Sequence, residues 1–272
     1  MNDAVSPNPG PRELRAAALH ALALPAWDQK LRHVDAMALD APVDCAALLS
    51  CPLDLPGRPP RPELVAPAQL KPRPVGTPAG RAALIHAIGH IEFNAVNLAL
   101  DIVWRFAGMP PDFYRDWLRV AKEESSHFQL LNAHLATLGY GYGDFPAHNG
   151  LWEMAEKTRD DLAARLTLVP RILEARGLDA SPQIRDKLLA VGDRAGAAIL
   201  DIILREEIGH VAIGNRWWRY LCAAHGKDSI AWHAELAERY AAPRQRGPFN
   251  LEARRAAGFD EAELAYLATA PR

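Results

Sequence analysis

Residues 204–211 read LREEIGHV, two glutamates and a histidine set inside a strongly apolar helical stretch. Ile199, Leu200, Ile202 and Ile203 precede it, and Ile213, Trp217, Trp218 and Leu221 follow. On a helix of 3.6 residues per turn, Ile203, Glu207, His210, Gly214 and Trp217 fall on one line. An ionised carboxylate on such a face needs a partner, because desolvating a charge costs several kcal/mol.

A second helical stretch repeats the pattern. From Asp112 to Leu138 the line Trp117, Ala121, Glu124, Phe128, Leu131, Leu135, Leu138 carries an acid where an aliphatic residue is expected. In both stretches a histidine follows three residues later, at His127 and His210, so acid and imidazole share a face about one turn apart. With 15 Glu and 10 His in 272 residues, chance supplies about half of one Glu-x-x-His pair (15 × 10/272), so a single pair means little. An internal repeat adds weight. Glu92 precedes Glu124 by 32 residues (124 − 92), and Glu174 precedes Glu207 by 33 (207 − 174).

Two helical hairpins, each with a Glu and then a Glu-x-x-His, make a recognisable donor set. Four carboxylates carry four negative charges, which two divalent ions neutralise, and each imidazole gives one metal a nitrogen ligand. Glu92, Glu124, His127, Glu174, Glu207 and His210 are therefore the expected metal ligands. This is the arrangement of di-iron and di-manganese carboxylate bundles. If the third and fourth helices instead met in a tight turn near residue 180, Glu153 would stand level with Glu207, so Glu153 is the alternative to Glu174.

The remaining organisation is helical. Short helices are expected over residues 12–24 and 25–39. A helix from Thr77 is read with Leu84, Ile88, Ile91, Ala95, Leu98 and Ile102 as its inner seam, ended by Gly108-Met109-Pro110-Pro111. GYGYGDFPAHNG (139–150) reads as a crossover. A third helix is expected from Leu151 to Arg176, stopped by Gly177, with a short helix at 182–191, and a fourth ends near His225-Gly226. The fold class is all-α: an antiparallel four-helix bundle with a crossover. Its expected divisions are an N-terminal helical segment (1–50), a Pro-rich arm (51–80), the bundle (81–226) and a C-terminal helical extension (227–272). The arm holds nine of the chain's 22 prolines, which forbids regular helix, and Leu53, Leu55, Leu64, Val65 and Leu70 are expected to seat it on the main body.

Composition limits the function. A formal net charge of −2 gives no case for binding nucleic acid or an anionic membrane. No apolar run of about 18 residues is seen and the N-terminus lacks a signal-peptide pattern, so a cytoplasmic protein is expected. Cys45, Cys51 and Cys222 are read as reduced thiols. His86 and His90 are read as hydrogen-bonded histidines, with an accessory metal role as the alternative. Glu123 and Glu206 are read as ion-pair formers, with support of a metal-bound histidine as the alternative. Tyr140 and Tyr142 are expected to pack the crossover. Arg176 and Arg254 could hold a substrate anion or pair with nearby acids.

The six-residue set resembles the ferritin-like superfamily. LEARGLD (173–179), YGDFPAHNGLW (142–152), EEIGHVAIGNRWW (206–218) and GPFNLEARRAAGF (247–259) resemble the bacterial domain-of-unknown-function 455 family within it, over about residues 80–255. LEARG and the following Glu-x-x-His are also similar to a diiron tRNA hydroxylase. The resemblance implies a centre of two metal ions (iron first, manganese or a mixed pair as alternatives) and oxygen or peroxide chemistry on a small organic substrate. An electron-donor protein would serve such an enzyme, and a homodimer is compatible with it.

Overall fold

The computed structural model describes residues 12–269; the opening segment, on which the expectation of no signal peptide rests, lies mostly outside the described residues. Among the described residues every regular element is helical, apart from one isolated bridge between Leu64 and Ala147. The chain forms two compact units, one of residues up to Pro60 with Ala95–Ser125, the other of Arg61–Asn94 with Ser126–Arg272. The long helices α3 (Pro78–Arg105) and α4 (Pro111–Thr137) run through both.

In the first unit, α1 (Leu14–Ala23) and α2 (Trp27–Ala36) form close to the expected places. The Glu13 carboxylate caps α1 by accepting from the Arg15 and Ala16 amides. Arg15 is fully buried, and its guanidinium donates to the carbonyls of Asp44, Ala47, Val103 and Trp104. Lys30 is buried too, donating to Leu22 O, Gly57 O and Asn97 Oδ1, and burial, with Arg58 adding to it, pulls its pKa down to about 7. The Pro-rich stretch is tied here by its backbone: Gly57 N donates to Leu22 O at 2.9 Å, and a Cβ at 57 would stand 2.1 Å from Ala23 O. Of its expected anchors, Leu55, Val65 and Leu70 are half-buried. Leu53 and Leu64 are exposed, while Pro56 and Pro62 are buried.

In the second unit, one core cluster draws Ala82, Ile85 and Ile88 from α3, Leu131 and Leu135 from α4, Leu188 from α7 (Ala175–Ala190) and Ala197, Leu200 and Ile203 from α8 (Arg194–His225). Phe145 of the crossover joins it. The expected seam of α3 is displaced, since Ile91 is exposed and Leu84 only half-buried. Glu92 is inward instead, and from Glu92 to Trp104 the helix is buried on every side, which removes the one-sided pattern. By length and composition α3 could cross a membrane, contrary to the sequence expectation, but it is a mostly buried core helix carrying His86, His90, Glu92 and Asp101.

The third rod differs most from expectation. It opens as α5 (Gly150–Lys157) and breaks at Thr158–Asp161, where Arg165 folds back to donate to Thr158 Oγ1 and Ala155 O. α6 (Leu162–Leu168) then passes through a π-helical segment, Val169–Glu174, directly into α7. Pro170 supplies the cause, because it has no N–H for the carbonyl four residues back and its ring crowds that carbonyl, so the turn opens. Gly177 and Pro182, expected as a stop and a new start, both lie inside α7. Glu174 is therefore 18 residues before Gly192 and Glu207 15 after it (192 − 174, 207 − 192), about level across the α7–α8 turn. The helix α8 starts on an Asp193 cap and ends at Gly226 in the left-handed region. Three short helices follow: α9 (Ser229–Arg239), α10 (Leu251–Ala256) and α11 (Glu261–Thr269).

The π segment packs on α8 at Gly214, where an added Cβ would lie 2.5 Å from Pro170 Cβ and 2.8 Å from its Cγ. The proline ring cannot yield. Gly214→Ala should destabilise the protein by about 1–3 kcal/mol. Gly209→Ala, on the same helix with nothing within 4 Å of the new methyl, should be neutral or stabilising by up to about 1 kcal/mol. Urea unfolding of the two variants beside the parent checks the contrast.

Candidate metal centre

Glu124 and His127 occupy one turn of α4, a spacing that the helix converts into a shared face. Glu92 of α3 and Glu207 of α8 complete a buried group in which one donor atom from each of the four residues lies within 4.8 Å of the others. All four side chains are nearly inaccessible. Three carboxylates so close repel one another in a site with little water, and a divalent cation offsets that repulsion while taking carboxylate oxygens and an imidazole nitrogen as ligands. The donor set thus fits a metal.

His127 shows how the group is oriented. Its Nδ1 stands 3.2 Å from Glu92 Oε2, on the side of the cluster, and its Nε2 stands 2.8 Å from Glu206 Oε2. Burial alone would raise the Glu206 carboxyl, but hydrogen bonds from Arg205 and His127 outweigh it and hold its pKa below the usual range. A carboxylate on the far nitrogen of a ligand histidine fixes the ring and its tautomer. Sequence reading gave Glu206 chiefly an ion pair; it makes one with Arg205 at 2.9 Å and also grips His127.

Of the other expected ligands, His210 adjoins this group. His210 is fully buried, with Nδ1 3.2 Å from Glu207 Oε1, and its ring centroid is 5.7 Å from that of His127. Glu174 is half-buried at the end of the π segment and is outside the set of four within 4.8 Å. Glu153 is exposed on α5, which removes it as the alternative.

The histidines of α3 serve the crossover. His90 Nε2 donates to His148 O at 3.1 Å and Nδ1 accepts from the Tyr142 hydroxyl at 2.9 Å. His86 accepts from Gly143 N at 2.9 Å and stacks on Tyr142. Tyr142 also lies against Phe93 and Phe128, the rings beside Glu92 and His127 in sequence. Among residues without an expected role, His134 bonds Asp193 at 3.0 Å, Asp101 takes Trp104 and Arg105, and Asp201 pairs with Arg185. Arg254 pairs with Asp179 at 2.7 Å, and Arg176 is exposed. The three cysteines are free thiols.

A family model described as "Protein of unknown function (DUF455)" matches residues 13–265. An uncharacterized protein of Haemophilus influenzae is 51% identical over 216 residues, covering 77% of this chain and 75% of its own. No solved structure matches.

Two outcomes follow from the electrostatics. In chelator-treated protein Glu124→Gln should raise unfolding stability by about 1–3 kcal/mol, because one of three crowded carboxylates is removed; chemical denaturation measures it. Burial lowers the His86 pKa from 6.5 to about 4, with Asp144 opposing. The unfolded chain therefore binds this proton first as pH falls, and stability present above pH 6.5 is lost progressively down to about 4. His86→Gln, which can still accept from Gly143 N, should flatten that decline by about 1–3 kcal/mol in unfolding curves taken across the window.

Proposed function

Since the chain belongs to the DUF455 family of proteins of unknown function, whose name carries no reaction, we propose from the site itself that it is a dimetal-carboxylate protein of ferritin-like architecture, an O2-dependent oxidoreductase acting on a small organic substrate. One observation carries this reading: four buried donors, three of them carboxylates, from three helices within 4.8 Å. In the proposed architecture residues 81–226 form the bundle, with α3, α4, α6 to α7, and α8 as its rods, and 1–50, 51–80 and 227–272 attached to it.

The repeat assigns the six ligands. Glu92, Glu124 and His127 come from the first hairpin, and Glu174, Glu207 and His210 from the second, where His210 already contacts Glu207. Carboxylate with imidazole suits iron or manganese over softer metals. When bound, a pair of such ions supplies the electrons that reduce dioxygen or peroxide. The chain's own groups do the rest. Glu206 holds the far nitrogen of His127, so that its near nitrogen keeps one orientation. Phe93 and Phe128, their centroids 5.4 Å apart, place apolar surface beside Glu92 and His127 and limit the access of water.

Elemental analysis of protein purified from its native host should find about two iron or manganese ions per chain. Glu124→Ala and Glu207→Ala should each lose most of that metal while remaining helical by circular dichroism. Full occupancy in either variant, or a parent that neither carries nor takes up Fe(II) or Mn(II), would overturn the proposal. An absorption band on exposing the ferrous protein to O2 supports oxygen chemistry; rapid peroxide loss with manganese assigns peroxide chemistry to the same ligands.

A further inference from the structure

A cavity of about 210 Å³ lies among the π segment, α9, α10, α11 and the loop after α9, and its charge is out of balance. Arg171, Arg244 and Arg254 line it, with Glu263 as the carboxylate in the lining; Arg254 is paired from outside the lining with Asp179 at 2.7 Å, which leaves one guanidinium in excess. Glu263 is already engaged by Arg171 at 2.7 Å, Arg219 at 3.2 Å, the Ser229 hydroxyl at 3.1 Å and Asp260 N at 3.1 Å. Arg171 is only 2% exposed, yet its Nε and Nη1 have no hydrogen-bond partner. Its guanidinium is held by rings, 5.1 Å from the Trp218 centroid and 5.2 Å from that of Phe259. The buried His233 shares the lining with an unpartnered Nδ1. Burial, with Arg171 adding to it, drops the His233 pKa to about 4 against the opposing pull of Glu263, so at neutral pH the ring is an uncharged donor or acceptor.

Much of the remaining lining is apolar, with Ile172, Ile230, Ala237, Pro243 and Leu267 facing the same space. Buried guanidinium groups held in place by aromatic rings lose little freedom when they meet an anion. The volume falls below the 300–1,000 Å³ or so of sites for drug-sized ligands. We propose that this cavity is a binding site for a small organic oxyanion, its carboxylate or phosphate head against Arg171 and Arg244 and its apolar body along Ile172 and Leu267. The proposal stands whether or not the glutamate cluster holds metal.

Calorimetric titration of the full chain in phosphate-free, carboxylate-free buffer tests it, with benzoate, phenyl phosphate, benzyl alcohol and inorganic phosphate as probes. Benzoate or phenyl phosphate should bind saturably at one site per chain, and the tighter of the two identifies the head group. Benzyl alcohol and inorganic phosphate should each bind at least ten-fold more weakly. Ala237→Phe, which fills the cavity without altering a charge, should weaken binding by at least ten-fold, and Arg244→Ala, on an exposed residue, by about three- to ten-fold. Arg244→Ala decides the case if Ala237→Phe does not fold. Failure of both organic anions to bind, equal binding of benzyl alcohol or inorganic phosphate, or unchanged affinity in folded variants would overturn the assignment. Metal content serves as the internal control and should not change in either variant.

Discussion

Three carboxylates that share a buried space with one imidazole repel one another, and the rest of the molecule has to hold them together. Two like charges about 5 Å apart at an effective dielectric constant near 20 cost about 3 kcal/mol, against a whole-protein stability of about 5–15 kcal/mol. A sequence selected only for stability would place leucine at Glu92, Glu124 and Glu207. Local rules are broken where function is placed, and the compensation is found elsewhere.

That compensation sits at the ends and flanks of the helices that carry the acids. The helix α3 begins on Thr77, whose hydroxyl accepts from Gly80 N, and α8 begins on Asp193, which also takes His134 of α4 at 3.0 Å. Gly226 closes α8 in the left-handed conformation. Beyond the acids in α3, α4 and α8, the cluster from Ala82 to Ile203 joins the same helices through apolar contact. The acids are thus fixed by aliphatic packing and caps that do not depend on the site's own interactions.

The parts legible in the sequence were those with strong local chemistry. Pro110-Pro111 and Gly226 set the limits of α4 and α8 because proline and glycine act through the backbone alone. The Glu-x-x-His pairs were legible because i and i+3 share a helix face. Gly177 and Pro182 misled for the opposite reason. A glycine within a helix costs only about 1 kcal/mol, and burial of Ala175, Leu178 and Leu188 carries α7 through both positions. Arg171 and Arg165 could not be read as buried, since their partners, Glu263 and the 155–158 turn, become neighbours only on folding. The grip of Glu206 on His127 was hidden likewise, because it joins side chains 79 residues apart.

One turn of the π segment serves several purposes. Pro170 both opens the turn and fills the gap left by Gly214, so the distortion and the close helix approach have a single cause. In an α-helix Arg171 and Glu174, three residues apart, would share a face. The wider π turn draws such positions apart. Arg171 can then stand against Trp218 and Phe259 on the cavity while Glu174, three residues on, remains available to the second hairpin's half of the proposed metal set. A regular helix over the same residues would present both groups to one side, and the third rod could not meet the two demands at once.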